Sequence, residues 1–389
     1  MQFFIFLIAV LLLLLYALLL LYYRAGWQLI TPVETEEVKM PVRISVVIAA
    51  RNEEKNVPAL LNSLQKQSYE KAFFEVIVVD DHSTDNTAMV IEEFVSSNTR
   101  LIRLQDHAIP EGTNSYKKKA IETAIAAATG ELIVTTDADC VVPARWLQTI
   151  ASFYEKHHPS FIVMPVCYNN RNNFLEIFQS LDFMTLQGIT GAAVHYGSHS
   201  MCNGANLAYT KNAFTRSGGF EGIDAIASGD DMLLMHKIYK QNPSGIRYLK
   251  SADVIVQTGA MQHWKDFFNQ RIRWASKADK YDDKRIFWVL LLVYLFNVLL
   301  LALPVVAAIQ NRPLPLFGYR LPAFNGWLLI LALKTLFELY FLFPVARFFN
   351  KLPLLRWFLF AQPVHILYTI VAGWLGKFGN YEWKERKVK

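Results

Sequence analysis

Hydrophobic residues are distributed unevenly along the chain of 389 residues. Residues 3–23 are almost all apolar or aromatic, and three further apolar stretches cover about 287–309, 326–346 and 354–375. About 20 such residues cross the apolar core of a bilayer as a helix, so each stretch predicts a membrane-crossing segment. The first stretch lacks the charged start and the small-residue cleavage site of a signal peptide. We therefore expect an anchor over residues 1–24.

Between residues 40 and 280, short apolar runs alternate with segments whose apolar residues have helical spacing. The runs at 44–50, 75–79, 100–104 and 132–136 predict buried strands, and the segments at 54–67 and 115–128 predict helices. Ser83 or Thr84 is expected to cap a further helix that carries Met89 and Val95. Strands that alternate with helices are typical of an α/β fold with a parallel, doubly wound sheet.

Acidic residues follow three of the predicted strands. They are Glu53 and Glu54 after the first, Asp80 and Asp81 after the second, and the Asp137-Ala138-Asp139 triplet after the fourth. The carboxyl ends of parallel strands lie at one edge of the sheet, where ligands bind in open α/β folds. Carboxylates there suit Mg²⁺ or Mn²⁺ held together with substrate phosphates. The alternative is a set of solvated turns, in which Asp is common.

Charge and cysteine content narrow the possible partners. The net charge is +6 and the chain has three cysteines, which show no metal-type spacing. Basic clusters at Lys117–Lys119 and in the tail beyond residue 384 favour phosphates or anionic lipid over nucleic acid. No stretch is typical of a nucleic-acid-binding module, so no nucleic-acid partner is expected.

Several motifs together resemble the inverting family 2 glycosyltransferases, whose catalytic domain has the GT-A fold. The resemblance rests on the following segments in the family's order between residue 43 and about residue 280: Val46–Glu54, Val78–Asp85, Asp137-Ala138-Asp139, Gly204-Ala205-Asn206, Gly218-Gly219-Phe220, Gly229-Asp230-Asp231 and Gln270-Arg271-Ile272-Arg273-Trp274. The last motif, Gln-x-x-Arg-Trp, is the most specific. It marks the membrane-bound branch with the cellulose, chitin and hyaluronan synthases and ceramide glucosyltransferase.

The resemblance implies roles for individual residues. Asp231 is implied as the general base, with Asp230 where the family more often has Glu. Asp139, with Asp137, is implied to bind a divalent metal, Mg²⁺ or Mn²⁺, and Trp274 to stack beneath the acceptor. The remaining implied contacts are to the nucleotide sugar: Arg51, Asn52, Glu53, Asp80, Asp81, Lys117, Asp137, Gln270, Arg271 and Arg273. Lys118 matches the family's lysine near the nucleotide as well as Lys117 does. The Ala-Ala-Arg-Asn-Glu run departs from the Pro-x-Tyr-Asn-Glu run that is frequent in the family.

The region after residue 286 is expected to be membrane-embedded as far as about residue 376, with a basic tail over 377–389. Lys334 and Glu338 are four residues apart and predict an ion pair on one helix face, pointing inward. A cytoplasmic domain over 40–280 followed by three spans would place the tail outside. The basic residues of the tail indicate the inside instead. One stretch could be re-entrant or interfacial, and the sequence does not decide.

Together with these patterns, the resemblance implies a membrane-bound enzyme with a cytoplasmic GT-A domain that moves a sugar from a nucleotide sugar, a UDP-sugar, to a lipid or lipid-linked acceptor. The expected location is a bacterial-type inner (plasma) membrane. Two alternatives remain at this point. One is a processive polysaccharide synthase, and the other is a membrane-tethered protein that binds nucleotide sugars without turnover.

Overall fold

The computed structural model describes residues 2–107, 115–169, 173–198, 201–223, 229–277, 283–310, 313–316, 319–379, 381–383 and 386–388. It divides into two compact units. The sheet unit comprises residues 29–169 and 189–259, and the apolar-helix unit comprises residues 1–28, 170–188 and 260–389. The described residues 173–188 and 260–277, which the sequence groups with the sheet, cluster with the apolar helices. The predicted domain boundaries stay a prediction.

Strands and helices alternate through most of the sheet unit, and long helices dominate the apolar-helix unit. The strands are β1 (Ile44–Ala50), β2 (Phe74–Asp80), β3 (Thr99–Arg103), β4 (Leu132–Thr135), β5 (Phe161–Val163), β6 (Val166–Asn169), β7 (Leu207–Thr210), β8 (Ile246–Tyr248), β9 (Val256–Gly259), β10 (Leu314–Leu316), β11 (Tyr319–Leu321), β12 (Tyr381–Trp383) and β13 (Arg386–Val388). The helices are α1 (Gln2–Leu29), α2 (Val57–Gln65), α3 (Thr87–Glu92), α4 (Tyr116–Ala127), α5 (Trp146–His157), α6 (Phe174–His195), α7 (Lys211–Arg216), α8 (Asp230–Gln241), α9 (Trp264–Ala275), α10 (Lys284–Gln310), α11 (Ala323–Phe348) and α12 (Phe358–Phe378). Short 3₁₀ helices cover Lys71–Phe73, Leu104–Asp106, Pro243–Gly245, Ala252–Val254 and Leu352–Trp357.

The sheet unit is built on a seven-stranded sheet with the order β3-β2-β1-β4-β7-β5-β8. The first four strands in this order are parallel, and β7 runs antiparallel to both of its neighbours. The Val- and Ile-rich strands β1, β2 and β4 are buried almost throughout, as expected for strands covered on both faces. The predicted α/β fold with a mostly parallel sheet is confirmed. The parallel register places Ala50 beside Asp80, so β1 and β2 end at the same edge.

Two local predictions differ from the structure. Helix α2 begins at Val57 rather than at residue 54, because Pro58 lies in its first turn and the preceding residues form a turn. The expected cap at Ser83 or Thr84 is wrong, since α3 begins only at Thr87. The backbone N–H of Thr87 donates to Oδ1 of Asp85 over 3.0 Å. Ser83 and Thr84 instead hydrogen-bond to the turn that follows β1.

The apolar-helix unit contains four helices that are long and apolar enough to cross a membrane. Among the described residues these segments are Phe3–Leu29, Lys284–Ile309, Ala323–Phe348 and Leu352–Phe378. They include the four stretches that the hydrophobic pattern predicts. In the basic tail, Lys384 and Lys389 lie outside the described residues.

A buried polar cluster joins three of the apolar helices. Lys334 Nζ lies 2.6 Å from Oε1 of Glu338, which is the predicted ion pair within α11. Gln362 of α12 donates from Nε2 to Glu338 over 2.6 Å, and the Tyr16 hydroxyl of α1 donates to the same carboxylate over 2.6 Å. These contacts satisfy a charge that would be costly to bury alone. The cluster therefore fixes the packing of α1, α11 and α12.

Candidate active site

The turns that follow β1 and β2 are hydrogen-bonded to each other. Arg51 donates from Nη1 to the carbonyl of Asp81 over 2.9 Å, and the Thr84 amide donates to Oδ1 of Asn52 over 2.8 Å. The Glu53 amide donates to Oγ1 of Thr87 over 2.8 Å. The structure thus brings the implied nucleoside residues at both strand ends into one bonded pair of turns.

Asp80 ends β2 inside this pair of turns and is only 4 % exposed. Its Oδ2 accepts a long hydrogen bond of 3.4 Å from the Ser83 amide. Within the described part of the chain, its buried Oδ1 accepts no hydrogen bond. A buried carboxylate oxygen that lacks a donor is costly, and such atoms usually meet a ligand or water. Oδ1 of Asp80 is therefore available to accept a hydrogen bond from a ligand.

The end of β4 carries the acid that contacts a lysine of α4. Nζ of Lys117 donates to Oδ1 of Asp137 over 2.7 Å. Burial lowers the pKa of Lys117, but the negative charges of Asp137, Asp230 and Asp231 outweigh burial and raise it above its usual range. The ammonium group is therefore positively charged at neutral pH. Nζ of Lys118 instead donates to the carbonyl of Ile223, so Lys117 is the lysine at Asp137.

Asp230 and Asp231 begin helix α8 and line one pocket together with Asp137 and Lys117. Gly229 precedes them with φ of +86°, a left-handed conformation that favours glycine. The Gly204 amide donates to Oδ2 of Asp231 over 3.0 Å, and the Thr135 hydroxyl donates to the Gly204 carbonyl over 3.2 Å. Three of the predicted acids and their lysine thus converge in the sheet unit.

Asn206 holds the loop that carries Gly204. Its side chain is completely buried and accepts a hydrogen bond from Nε1 of Trp146 over 2.9 Å. Its Nδ2 donates to the carbonyls of Pro165 and Val254 over 2.8 and 2.7 Å. The structure shows that this glycine-bearing segment is anchored in the core and contacts the predicted base.

Asp139 lies two residues after Asp137 on the same turn. Its Oδ2 accepts a hydrogen bond of 3.3 Å from the Thr258 hydroxyl. The described residues contain no group of three or more His, Cys, Asp or Glu side chains placed to bind a metal. Mg²⁺ and Mn²⁺ need only one or two carboxylates when substrate phosphates supply further oxygens. The two hard carboxylates of this turn therefore fit a metal that binds together with a diphosphate.

The Gln-x-x-Arg-Trp motif lies on α9 in the apolar-helix unit, where two of its residues contact each other. Arg271 is 4 % exposed, and its Nη2 lies 2.8 Å from Oδ2 of Asp182. Its guanidinium carbon lies 4.2 Å from the ring centroid of Trp274, while Arg273 is only half-buried. Asp182 is a partner of Arg271 that the sequence did not assign. In the sequence, Asp182 is a carboxylate within a stretch of apolar and aromatic residues. That pattern favours core packing and does not indicate a functional role.

Two protein-family models match the chain. The model "Glycosyl transferase family 2" matches residues 45–218, and "Glycosyl transferase family group 2" matches residues 132–374, more than half of the chain. Among solved structures, the fold is similar to that of the mannosyltransferase PcManGT from Pyrobaculum calidifontis, solved with GDP-Man and Mn²⁺. That structure has a TM-score of 0.57 and 19% identity, over 97% of this chain and 99% of the other. The similarity supports the predicted GT-A fold.

Curated relatives match over parts of their length. Poly(ribitol-phosphate) beta-N-acetylglucosaminyltransferase TarS of Staphylococcus aureus is 32% identical over 124 residues, which are 32% of this chain and 21% of TarS. The probable glycosyltransferase YdaM of Bacillus subtilis is 25% identical over 247 residues, 63% of this chain and 57% of YdaM. The UDP-Glc:alpha-D-GlcNAc-diphosphoundecaprenol beta-1,3-glucosyltransferase WfgD of Escherichia coli is 32% identical over 122 residues, 31% of this chain and 44% of WfgD. With a family model that matches most of its length and a GT-A sheet carrying the expected acids, the chain belongs to glycosyl transferase family group 2 and is a family 2 glycosyltransferase.

Proposed function

We propose that this glycosyltransferase moves a sugar from a UDP-sugar onto a lipid or lipid-linked acceptor, with inversion at the anomeric carbon. The observation that carries the proposal is the pocket in which Asp137, Asp230 and Asp231 surround the ammonium of Lys117. Transfer from a nucleotide sugar needs a base for the acceptor hydroxyl and a positive charge near the leaving diphosphate. The pocket supplies a candidate for each requirement.

The nucleoside end of the donor is assigned to the turns after β1 and β2. The unpartnered Oδ1 of Asp80 is a hydrogen-bond acceptor for the base or ribose, and the Arg51 guanidinium fixes the turn on which Asp80 and Asp81 lie. Asn52 and Glu53 hold the opposing turn in place through the bonds to Thr84 and Thr87. A uracil-bearing nucleotide is proposed because the family resemblance implies it.

Asp231 is proposed as the general base. Oδ2 is held by the Gly204 amide and Oδ1 accepts from the Met232 amide over 2.8 Å, so the carboxylate has one fixed orientation. In an inverting displacement the acceptor hydroxyl attacks the anomeric carbon as the bond to the diphosphate breaks, and the hydroxyl proton passes to the base. Asp230, the neighbouring acid, is proposed to act on the electrostatics of the pocket, because its charge helps to keep Lys117 protonated.

Asp137 and Asp139 are proposed to bind Mg²⁺ or Mn²⁺, which when bound neutralises the charge that develops on the leaving nucleotide. Lys117 holds Asp137 in position from the side of α4. Within the apolar-helix unit, Gln270 and Arg273 are proposed to contact the diphosphate, and Trp274 is proposed to stack beneath the acceptor. A Trp ring is an apolar face suited to a sugar or a lipid headgroup.

The acceptor class is supported by the relatives and by the four apolar helices. WfgD is named for transfer to a diphosphoundecaprenol-linked sugar, and a relative from Nostoc, 27% identical over 132 residues, is named a beta-monoglucosyldiacylglycerol synthase. Helices long enough to span a membrane would keep the enzyme close to such lipids. We propose a bacterial-type plasma membrane with the sheet unit in the cytoplasm, where nucleotide sugars are made.

The test incubates membranes that contain the protein with Mn²⁺ and a panel of radiolabelled UDP-sugars, followed by organic extraction. Label in the organic phase, absent with an Asp231→Asn control, is the expected result. Label in insoluble or high-mass material would mean a processive polysaccharide synthase. Nucleotide-sugar binding without transfer to any acceptor in lipid extract would mean a binding protein and would overturn the proposal.

A further inference from the structure

Arg271 is held at both of its terminal nitrogens. Nη2 lies 2.8 Å from Oδ2 of Asp182, and Nη1 donates to Oε1 of Gln270 over 2.9 Å. The side chains of Arg271 and Asp182 are only 3 % and 4 % exposed. Both terminal nitrogens of this buried guanidinium thus face protein carboxylate and amide oxygens.

The flat faces of the same guanidinium pack on aromatic rings. Its central carbon lies 4.2 Å from the ring centroid of Trp274 and 4.9 Å from that of Phe267. The Phe183 ring, whose centroid is 6.2 Å from that of Trp274, packs on the indole as well. The orientation of the Trp274 ring is therefore set by Arg271 and Phe183.

Asp182 connects this arrangement to a third helix. Its Oδ1 accepts a hydrogen bond of 2.5 Å from the Tyr368 hydroxyl. Asp182 lies on α6, Arg271 on α9 and Tyr368 on α12, and α9 packs along α12. One carboxylate thus joins three helices of the apolar-helix unit at the point where Trp274 is held.

A buried ion pair is a poor way to gain stability, because desolvation offsets most of the attraction and apolar residues of similar volume often do as well. What a buried pair provides is a defined geometry, since a planar guanidinium can bind a carboxylate and stack on a ring at the same time. We propose that Asp182 and Arg271 are positioning residues that fix the Trp274 ring as the acceptor platform, and that Arg271 does not bind the diphosphate. The acceptor part of this inference rests on the proposed function.

The kinetic test compares Asp182→Asn and Arg271→Lys with the wild type in detergent or nanodiscs. Both variants are expected to lower kcat/KM for the acceptor roughly 10- to 100-fold, because a misplaced platform misaligns the attacking hydroxyl. KM for the nucleotide sugar and the affinity for UDP should stay within about twofold, well below the tenfold change in affinity that about 1.4 kcal/mol of binding free energy represents. If Arg271→Lys weakens UDP binding and leaves the acceptor terms unchanged, Arg271 binds the diphosphate and the proposal is wrong.

Glu338→Gln is the matched control, because it breaks a buried ion pair of the same unit that does not contact Trp274. It should lower the thermal midpoint without the selective loss at the acceptor. The same selective loss in Glu338→Gln would mean a general loosening of the helices and would overturn the proposal. Where Asp182→Asn does not fold, Tyr368→Phe removes one hydroxyl from the same carboxylate and should give the same pattern at smaller size.

A second readout does not require turnover. The chain has nine tryptophans, and 5-fluorotryptophan labelling with a Trp274→Phe reference assigns the ¹⁹F resonance of Trp274. The resonance should shift and broaden in Asp182→Asn and stay unchanged in Glu338→Gln. An unchanged resonance in Asp182→Asn overturns the positioning role. If the wild type transfers no sugar, the proposed function fails, but the resonance still decides whether Asp182 positions Trp274.

Discussion

The backbone amide of Gly204 donates a hydrogen bond to Oδ2 of Asp231 over 3.0 Å. A Cβ added at Gly204 would lie 3.6 Å from Cβ of Asp231 and 3.8 Å from Nζ of Lys117, so the loop backbone packs directly against the pocket. Asn206 anchors the loop through three hydrogen bonds to the core. The orientation of the Asp231 carboxylate is therefore fixed by a loop backbone that is anchored in the interior of the sheet unit.

Asp231→Asn should abolish most of the transfer activity while the protein still folds and binds nucleotide. Asn has almost the same shape and can accept the Gly204 amide hydrogen bond, but it cannot take a proton from the acceptor. Loss of a general base typically lowers kcat by roughly 10²- to 10⁴-fold. The measurement is kcat together with UDP affinity by calorimetry.

Asp230→Asn provides the matched comparison. Asp230 is the carboxylate next to Asp231, and it is not proposed to take the proton of the acceptor hydroxyl. Its kcat should fall less than that of Asp231→Asn. If metal-dependent sugar transfer survives Asp231→Asn and disappears in Asp230→Asn, the base has been assigned to the wrong residue.

Lys117→Met and Lys118→Met should separate a site lysine from a structural one. Without Lys117, the acids Asp137, Asp230 and Asp231 would repel an incoming diphosphate, so kcat/KM for the nucleotide sugar should fall roughly 10- to 100-fold. The thermal midpoint should fall less than in Lys118→Met, because the Lys117 side chain is 26% exposed. Lys118 is 2 % exposed and donates to the Ile223 carbonyl, so its replacement should mainly lower the thermal midpoint. The reverse pattern would assign the site to Lys118.

The local elements of the sheet unit could be predicted from the sequence because each depends on neighbouring residues. Strands β1, β2 and β4 are continuous apolar runs. The acids at the ends of β2 and β4 come directly after these runs in the sequence, so their place at the strand ends could be predicted as well. The antiparallel insertion of β7 between β4 and β5 could not be predicted, since strand partners are chosen by packing. The start of α3 was missed because Ser83 and Thr84 bond to Asn52, a contact between turns far apart in the sequence.

The contacts of the Gln-x-x-Arg-Trp segment could not be predicted for a similar reason. An arginine on an amphipathic helix is normally expected to reach solvent or phosphate. Arg271 is buried because α6 supplies Asp182, and nothing in the local pattern of either helix indicates this partner. Lys334 and Glu338 are the opposite case, because both lie on one helix at a spacing that predicts their pairing.

Asp139→Ala should weaken nucleotide binding only when a divalent metal is present. The proposed role of Asp139 is to bind the metal, so UDP affinity in Mn²⁺ should fall at least about tenfold, a change of about 1.4 kcal/mol in binding free energy. With excess EDTA the variant and the wild type should bind UDP equally. Thr258→Val removes the hydroxyl that contacts Asp139 but keeps both carboxylates, so it serves as the control. Equal affinities of Asp139→Ala and wild type in Mn²⁺ would rule out the metal role.

The last prediction concerns Lys250, which ties the segment after α1 to the sheet unit. The Val33 amide donates to the Lys250 carbonyl over 2.8 Å, and Lys250 Nζ donates to the Ile30 carbonyl over 3.2 Å. Lys250 is 6 % exposed, and burial lowers its pKa from 10.5 to about 8. Between these two pH values the unfolded chain holds a proton on this lysine that the folded protein has released.

Stability should therefore rise with pH across this window through Lys250, since the free energy of unfolding increases wherever the unfolded state binds more protons. Below about pH 8 the folded protein carries the full cost of a buried ammonium, and above pH 10.5 the cost is absent. Lys250→Met keeps the buried volume and removes the charge. Its stability relative to the wild type should therefore be highest at pH 7. The thermal midpoint of the wild type, measured against that of Lys250→Met, should gain on the order of 5 °C between pH 7.5 and about pH 10. Parallel profiles for the two proteins would mean that Lys250 keeps an ordinary pKa, because the lysine then titrates alike in the folded and unfolded states.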